Sequence, residues 1–486
     1  MKLCILISSE DESETPLKGL DDPPDPSLFI GGHDYETHPL HKRTAVAQVV
    51  SLARRGFDCF INLCDGAWEE DRAGIEVVQA LERLGVPFTG ADSRFYEPSR
   101  NQQRRICYAE GIRVPAWVSA RCRADIDLAL RRLRFPMIVK HWASYSSIGL
   151  TKACRVTDAD ALYEQAHRMI ERFGGAEIEE FVEGRELTVL TVENPDDPAN
   201  PLAYWPNEIV FPPGEDFKHF DLKWKSCADM ASRPCEDLDL ARLAMDATCR
   251  LFVGLGGVGY ARADLRVDRE GQVHMLEINP NCSVFLRPEA SGSADLILAA
   301  DPGGHPGFLD NLIRAAMQRH RRQQPPWRVQ FGDHGGYGIY AARRIEAGET
   351  IFADEGQPHY LVTRGHVERC WGERERGWFA EYAWPISDEV YVTWSPDPED
   401  WRPVNHSCDP NAWLDGLDTI ARRRIELGEE ITMDYATFCD EQMKPFDCTC
   451  GSTDCRRVIR GGVDRAPFLD RYEGHVSSHI GFRRKR

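Results

Sequence analysis

The sequence predicts a multidomain protein, with an α/β N-terminal part followed by a mostly β C-terminal part. Its length of 486 residues exceeds what one hydrophobic core ordinarily serves, so several domains are expected. Apolar strand-like runs alternate with helical patterns through the first two thirds of the chain, the pattern of α/β architecture. A polar, basic, proline-containing stretch, Gln318 to Pro326 (QRHRRQQPP), then divides the chain. Such a stretch buries little and reads as a linker over 319–326, after which short β-like runs broken by Gly, Pro, Asp and Asn dominate.

Apolar residues make up 42% and charged residues 28%, an ordinary globular balance rather than a disordered one. The formal charge of −19 argues against nucleic acid as a direct ligand, because phosphate neutralisation needs a basic face. It is compatible with a basic peptide. No apolar run approaches the ~20 residues that span a bilayer, so no membrane association is expected. The sixteen cysteines are scattered irregularly, which favours reduced thiols. Only Cys448, Cys450 and Cys455 have ligand-like spacing.

MKLCILI opens the chain as a first buried strand, and the acidic SSEDESE follows at once. A secretory signal would need a longer apolar stretch and a small-residue cleavage site, so a cytoplasmic location is expected. CFINLC (59–64) reads as a strand and GIEVVQALERLG (74–85) as a helix. FPMIVKHWASYSSIGLTKACRV (135–156) is a strand ending in Lys140, a Ser/Gly-rich loop and a second strand. EIEEFVEGRELTVLTV (177–192) places carboxylates before and after a short turn. The helix LDLARLAMDATCRLFVGLG (238–256) runs into Gly254, Gly256 and Gly259, which spell G-x-G-x-x-G. A dinucleotide fingerprint must follow a strand and open a helix; these glycines end a helix, where glycine is favoured sterically.

GYARADLRVDREGQVHMLEINPN (259–281) is then a β-hairpin. Alternation puts Arg262 and Asp264 on one face of its first strand, and Glu277 and Asn279 on one face of its second. Two carboxylates and an amide oxygen on paired strands suit Mg²⁺ bound through nucleotide phosphates. A salt-bridged surface hairpin is the plain alternative.

In the C-terminal part, Gly335-Gly336-Tyr337-Gly338 lies between strand-like RVQF (328–331) and GIYAARRI (338–345). The run NHSCDPN (405–411) follows, and Glu430-Ile431-Thr432-Met433-Asp434-Tyr435 closes a strand after the turn LGEE. CTCGSTDC (448–455) comes last among the motifs.

Together these C-terminal features resemble the SET-domain family of lysine methyltransferases with a post-SET extension. The likeness covers a SET domain over 327–446, a post-SET zinc segment over 447–460 and a tail over 461–486. It implies S-adenosylmethionine contacted by Gly336, Tyr337, Gly338, Asn405 and His406. It also implies Tyr435 as the catalytic hydroxyl, and Zn²⁺ held by Cys408, Cys448, Cys450 and Cys455. The chemistry fits, because a lysine of pKa about 10.4 must be made neutral, positioned and given a polar group at the transferring methyl. The implied methyl acceptor is a protein or peptide lysine. Many family members carry Phe or Tyr two residues before the tyrosine; Met433 stands here, so the number of methyls added stays open. The tail PFLDRYEGHVSSHI (467–480) is similar to a structured extension of some small SET proteins.

The N-terminal segments resemble the ATP-grasp superfamily, and most of all its D-alanine–D-alanine ligase branch, over 1–318. That implies an N-terminal subdomain (1–115), ATP-binding subdomains (116–318) and coupling of a carboxylate to an amine, with an amino acid or peptide as substrate. By position, Lys140 is implied on the nucleotide phosphates, with Glu179, the Val182 backbone and Glu186 on adenine and ribose. Asp264, Glu277 and Asn279 are implied on Mg²⁺, Arg262 on the developing negative charge, and Ser146 on the substrate side. Lys223 is retained, whereas a phosphate-binding lysine of the family falls near Arg100 and a loop tyrosine at Trp224. Those two departures leave open a second reading, a nucleotide-binding recruitment or regulatory module without ligase turnover.

Overall fold

In the computed structural model the chain forms two compact units, Met1–Gln323 and Gln324–Arg486. All residues are described except 12, 13, 15–17, 20, 21, 68, 69, 144–146, 226–229, 333–335, 355–358, 394–400, 462–469 and 484–486. The expected fold class holds: a multidomain chain with an α/β first part and a strand-rich second part.

Among its described residues the first unit has three sheets, each built where the apolar pattern allows one face or both to be buried. Lys2–Ser8 is the central strand of a parallel sheet between Asp34–Leu40 and Cys59–Asn62. Leu3, Cys4, Ile5 and Leu6 are fully buried in it, as an unbroken apolar run in a covered parallel strand should be. Ala45–Ala53 and Ile75–Arg83 pack beside it, the second burying Val77, Val78 and Leu81 at helical spacing.

A second, antiparallel sheet runs in the order Trp117–Ala120, Ala176–Glu180, Met137–His141, Arg155–Val156. Helices Arg123–Arg132 and Ala159–Phe173 cover it; Asp158 caps the longer one by accepting from Ala161 N, and Gly174 closes it at φ +79°. The third sheet is antiparallel, with Arg185–Val192 and Tyr260–Val267 at its centre and Val273–Pro280 at one edge. The helix Leu238–Gly254 ends at the expected glycines. Gly256 and Gly259 have φ of +69° and +71°, and a Cβ on Gly259 would collide with the backbone of Gly90.

The division between the two units, after Gln323, falls within the stretch read as a linker, but the first part of that stretch is not extended. The stretch read as a linker over 319–326 is helical through Gln323, continuing the helix Gly304–Gln323. Arg319 is not solvated: it donates to Glu193 Oε2 at 2.6 Å and to Phe88 O at 2.7 Å. A basic run looks polar in sequence, but a guanidinium with a buried carboxylate to pair is itself buried.

The second unit is a set of small sheets. Trp327–Gly332, Gly336–Ala341, Glu430–Met433 and Asn405–His406 form one, in that order. Thr350–Phe352, Asp418–Ala421 and Ala412–Asp415 form another, and Ile339, Ile345, Leu414 and Ile431 fill the core between strands. Helices Arg364–Cys370 and Glu373–Tyr382 join this mostly β unit. Beyond the cysteine segment, described tail residues form a further apolar cluster with Trp413. Tyr472 is fully buried, and His475 stacks on Trp413 with ring centroids 4.1 Å apart. No helix among the described residues is long and apolar enough to cross a membrane.

Candidate active sites

In the first unit, the hairpin register brings the four expected side chains together. Arg262 lies opposite Asn279 and Asp264 opposite Glu277, so all four project from one face. Arg262 grips Asp264 with two hydrogen bonds, of 3.2 and 2.9 Å, and Asn279 Nδ2 lies 3.4 Å from Glu277 Oε1. Burial would raise the Asp264 carboxyl, but the charges of Arg262 and Lys218 outweigh it and hold the group at about 2. Burial, then repulsion from Arg262 and Lys218, lowers Lys223 to about 8. Lys223 stands on the short helix Phe220–Trp224, its Nζ 5.2 Å from the Trp224 ring.

A second cluster sits on the Ala176–Glu180 sheet. Lys140 and Glu177 are cross-strand partners there, with Glu179 on the same face. Lys140 Nζ donates to Glu179 Oε2 at 2.6 Å. Burial would raise Glu179, yet Lys140, Arg100 and Arg104 hold it at about 2. Glu186 is buried on the neighbouring strand, with Lys218 Nζ at 3.0 Å and Arg266 at 3.3 Å. Val182 is half-buried in the turn before that strand. Ser146 lies outside the described residues.

The helix Arg100–Ala109 joins the two clusters. A capping box of Ser99 and Gln102 fixes its start. Arg100 then reaches Glu277 Oε2 at 3.0 Å, while Arg104 bridges Glu177 at 2.7 Å and Glu179 at 2.8 Å. Arg104 and Lys218 were not among the residues read from sequence. Arg104 lies one turn from Arg100, and that i,i+4 spacing is the signal that could have revealed it. Five cations, Arg100, Arg104, Lys140, Lys218 and Lys223, thus face a group of buried carboxylates. The donor set suits a polyphosphate carried with Mg²⁺: carboxylates and an amide for the metal, cations for the phosphates.

In the second unit, Asn405–His406 pairs in parallel with Thr432–Met433, bringing NHSC beside the end of the Glu430–Met433 strand. Tyr435 N donates to His406 Nδ1 at 3.2 Å, so that ring nitrogen carries no proton, and burial lowers the imidazole to about 4. The Tyr435 hydroxyl donates to Val404 O at 2.7 Å, and burial raises its pKa, so it stays protonated. The rings of His406, Phe438 and Phe446 pack on the Tyr435 ring, with centroids 5.4, 5.6 and 5.8 Å away. Asn405 Nδ2 donates to Tyr337 O at 3.2 Å and Glu430 Oε1 at 2.7 Å. A Cβ at Gly338 would fall on that Glu430 carboxylate and close to the Asn405 amide, so both side chains would have to move. Gly336 holds φ +155° at the head of the same strand, and the exposed Tyr337 ring packs against Trp401.

Cys408, Cys448, Cys450 and Cys455 converge, with their sulfurs all within 4.8 Å of one another. Four thiolates about 2.3 Å from one zinc stand about 3.8 Å apart. The 3.9 Å between the Cys408 and Cys448 sulfurs matches that edge, so the set fits Zn²⁺. Asp434 is a residue that sequence reading passed over. Fully enclosed, it accepts from Tyr472 OH at 2.6 Å and pairs with Arg456, tying the tail and the cysteine segment to the turn that carries Tyr435. Its signal was the buried-polar position immediately before the tyrosine.

These two arrangements define an ATP-grasp unit followed by a SET methyltransferase domain. The D-ala D-ala ligase C-terminus family matches residues 109–284, and the SET domain family matches residues 336–436. The D-alanine--D-alanine ligase of Marinomonas sp. (strain MWYL1) is 31% identical over 246 residues, covering 48% of this chain and 71% of that protein. That of Cupriavidus metallidurans is 28% identical over 295 residues, covering 58% and 82%. The crystal structure of the Bacillus anthracis enzyme shares the fold, at TM-score 0.50 and 18% identity, over 67% of this chain and 100% of that one. The chain belongs to the D-alanine–D-alanine ligase family through its first unit, and carries a SET domain in its second.

Proposed function

We propose that this protein is a protein or peptide lysine N-methyltransferase joined to an ATP-dependent carboxylate–amine ligase. The observation that carries the first half is the meeting of Asn405-His406, Tyr435 and four convergent cysteines at one crossing. S-adenosylmethionine, when bound, supplies the methyl group. The bare backbone at Gly338 and the Asn405 amide would hold that methyl donor, with Gly336 and Tyr337 on the same strand. The protonated Tyr435 hydroxyl offers a polar group beside the transferring methyl. The aromatic surroundings exclude water and favour the neutral amine of an incoming lysine. Zinc on the four cysteines would pin the C-terminal segment against this site.

ATP, when bound with Mg²⁺, supplies the phosphoryl group that activates a carboxylate. Lys140 would hold its phosphates, with Glu179, Val182 and Glu186 at the nucleoside, and Asp264, Glu277 and Asn279 at the metal. Arg262, fixed by Asp264, would steady the oxyanion as an amine attacks the acyl carbon and phosphate leaves. Ser146 keeps the substrate-side role its position implies. The second reading, nucleotide binding without turnover, draws on the Arg100–Glu277 pair, in which an arginine holds an oxygen proposed for the metal.

The deciding experiment is transfer of radiolabelled methyl from S-adenosylmethionine to lysate proteins, with wild type and Tyr435→Phe, with and without ATP. Labelled bands lost in the variant support the methyltransferase; no labelling, in protein that contains zinc and binds the methyl donor, counts against a protein acceptor. ADP release abolished by Lys140→Ala supports the ligase, and ATP binding without turnover supports the module.

A further inference from the structure

Glu430 opens the strand Glu430–Met433, opposite Tyr340 on the strand Gly336–Ala341. Its Oε1 accepts from Asn405 Nδ2 at 2.7 Å and lies 2.4 Å from where a Cβ on Gly338 would stand. The carboxylate therefore rests on the bare backbone that the methyl donor would meet.

A carboxylate withdrawn from water is stabilised by a cation, and those around Glu430 have one. Glu429 pairs with Arg423 at 2.7 Å, Asp354 with Arg402 at 2.8 Å, and Asp434 with Arg456. Glu430 is half-buried, yet among the described residues no Arg, Lys or His pairs with it, and Asn405 alone hydrogen-bonds to its carboxylate. Its Oε2, left without a partner, is not enclosed and reaches solvent.

Asn405 supplies a matching acceptor. Its Nδ2 donates both to Tyr337 O at 3.2 Å and to Glu430 Oε1, and those two bonds decide which way the amide points. Its Oδ1 is then left without a hydrogen-bond partner among the described residues. Two acceptors on adjoining side chains, one of them charged, call for a cation that only donates. An ammonium, with three N–H groups, is that cation.

We propose that Glu430, together with Asn405 Oδ1, binds the α-ammonium of S-adenosylmethionine. This rests on the methyl-donor reading of the site. The strand decides which of the donor's two cations is meant. Tyr435 follows the far end of Glu430–Met433, about 10 Å along the strand, and His406 packs on it. Asn405 pairs one residue nearer to Glu430 than His406 does. The sulfonium and its methyl belong beside Tyr435, and the amino-acid end beside Glu430.

Calorimetric titration of the full chain with S-adenosylmethionine, S-adenosylhomocysteine and methylthioadenosine tests it. Glu430→Gln keeps the shape and an acceptor for Asn405 and removes only the charge. S-adenosylhomocysteine carries the ammonium without the sulfonium charge, so the variant should bind it and S-adenosylmethionine each at least about tenfold more weakly. Methylthioadenosine lacks the amino-acid end and should bind both proteins alike, with melting curves confirming that the variant folds. Unchanged affinity for both amino-acid ligands overturns the proposal. So does weakening of S-adenosylmethionine alone, which would assign the carboxylate to the sulfonium, or equal weakening of all three. The desamino analogue of S-adenosylhomocysteine probes the same contact on wild type and serves if the variant does not fold. It should bind at least about tenfold more weakly than its parent, and equal affinity overturns the proposal. If wild type binds S-adenosylmethionine and Glu430 proves silent, the methyl-donor reading stands and this contact falls. If wild type, with zinc in place, binds neither donor nor product, the reading falls and the proposal with it.

Discussion

Tyr435 combines a protonated hydroxyl, a single acceptor at Val404 O and a ring packed on His406 and Phe446. Replacing it with phenylalanine removes one hydrogen bond, a stability loss of about 1 kcal/mol. On the proposed role it lowers methyl transfer by roughly 10²–10³-fold. Thermal melting and radiolabel incorporation on one preparation separate the two effects; near-wild-type transfer would remove Tyr435 from the chemistry. Gly338→Ala makes a different prediction. The new Cβ meets the Glu430 carboxylate and the Asn405 amide, so affinity for S-adenosylmethionine should fall at least about tenfold while the fold persists. Equilibrium dialysis with the labelled donor reads this directly.

The hairpin Tyr260–Val267 with Val273–Pro280 concentrates charge that is stable only as a set. Asp264→Asn leaves Arg262 without its bidentate partner in a largely enclosed site, at a loss of about 3 kcal/mol, and should abolish ATP turnover. Chemical denaturation and an ADP assay check both. The pH dependence follows from the same carboxylates. Glu179 and Asp264 are held at about 2, below their ordinary values of 4.5 and 3.8. Their contribution to stability is therefore complete above pH ~5 and is lost as pH falls from there towards 2. Melting of the full chain from pH 7 to pH 3 should show the first unit weakening below pH ~5; a flat profile would mean that the cations do not act as drawn. The helix end carrying Arg319 adds a further test, because a true linker would tolerate Arg319→Ala. Here the substitution takes the guanidinium from the buried Glu193 carboxylate, leaving it the Gly259 N–H, and should cost about 3 kcal/mol.

At the scale of the whole molecule, two compact units with separate cores should melt as two transitions. Chelation, or Cys450→Ser, should lower only the transition of residues 324–486, since the four sulfurs belong wholly to that unit. Scanning calorimetry with and without zinc resolves this, and an unchanged second transition would argue against a structural metal. Methyl transfer should fall in parallel, because Arg456 and Tyr472 reach from the cysteine segment and tail to Asp434, next to Tyr435.

Local pattern sufficed wherever chemistry follows from spacing. Alternation along 259–281 placed Arg262, Asp264, Glu277 and Asn279 on one face, because strand period is a property of the backbone alone. Spacing marked three of the four sulfurs, Cys448, Cys450 and Cys455, and it was the resemblance to the SET family that added Cys408. Tertiary structure decided what each charge faces. Arg319 looked solvated and is paired with Glu193; Arg104 carried no assigned role and bridges Glu177 and Glu179; Tyr472 looked like tail and seals Asp434. The reason is common to all three. A polar side chain is buried or exposed according to its partner, and those partners lie 126, 73, 75 and 38 residues away along the chain. Sequence sets the identity and local face of a group, and only the folded chain supplies the opposite charge that keeps it there.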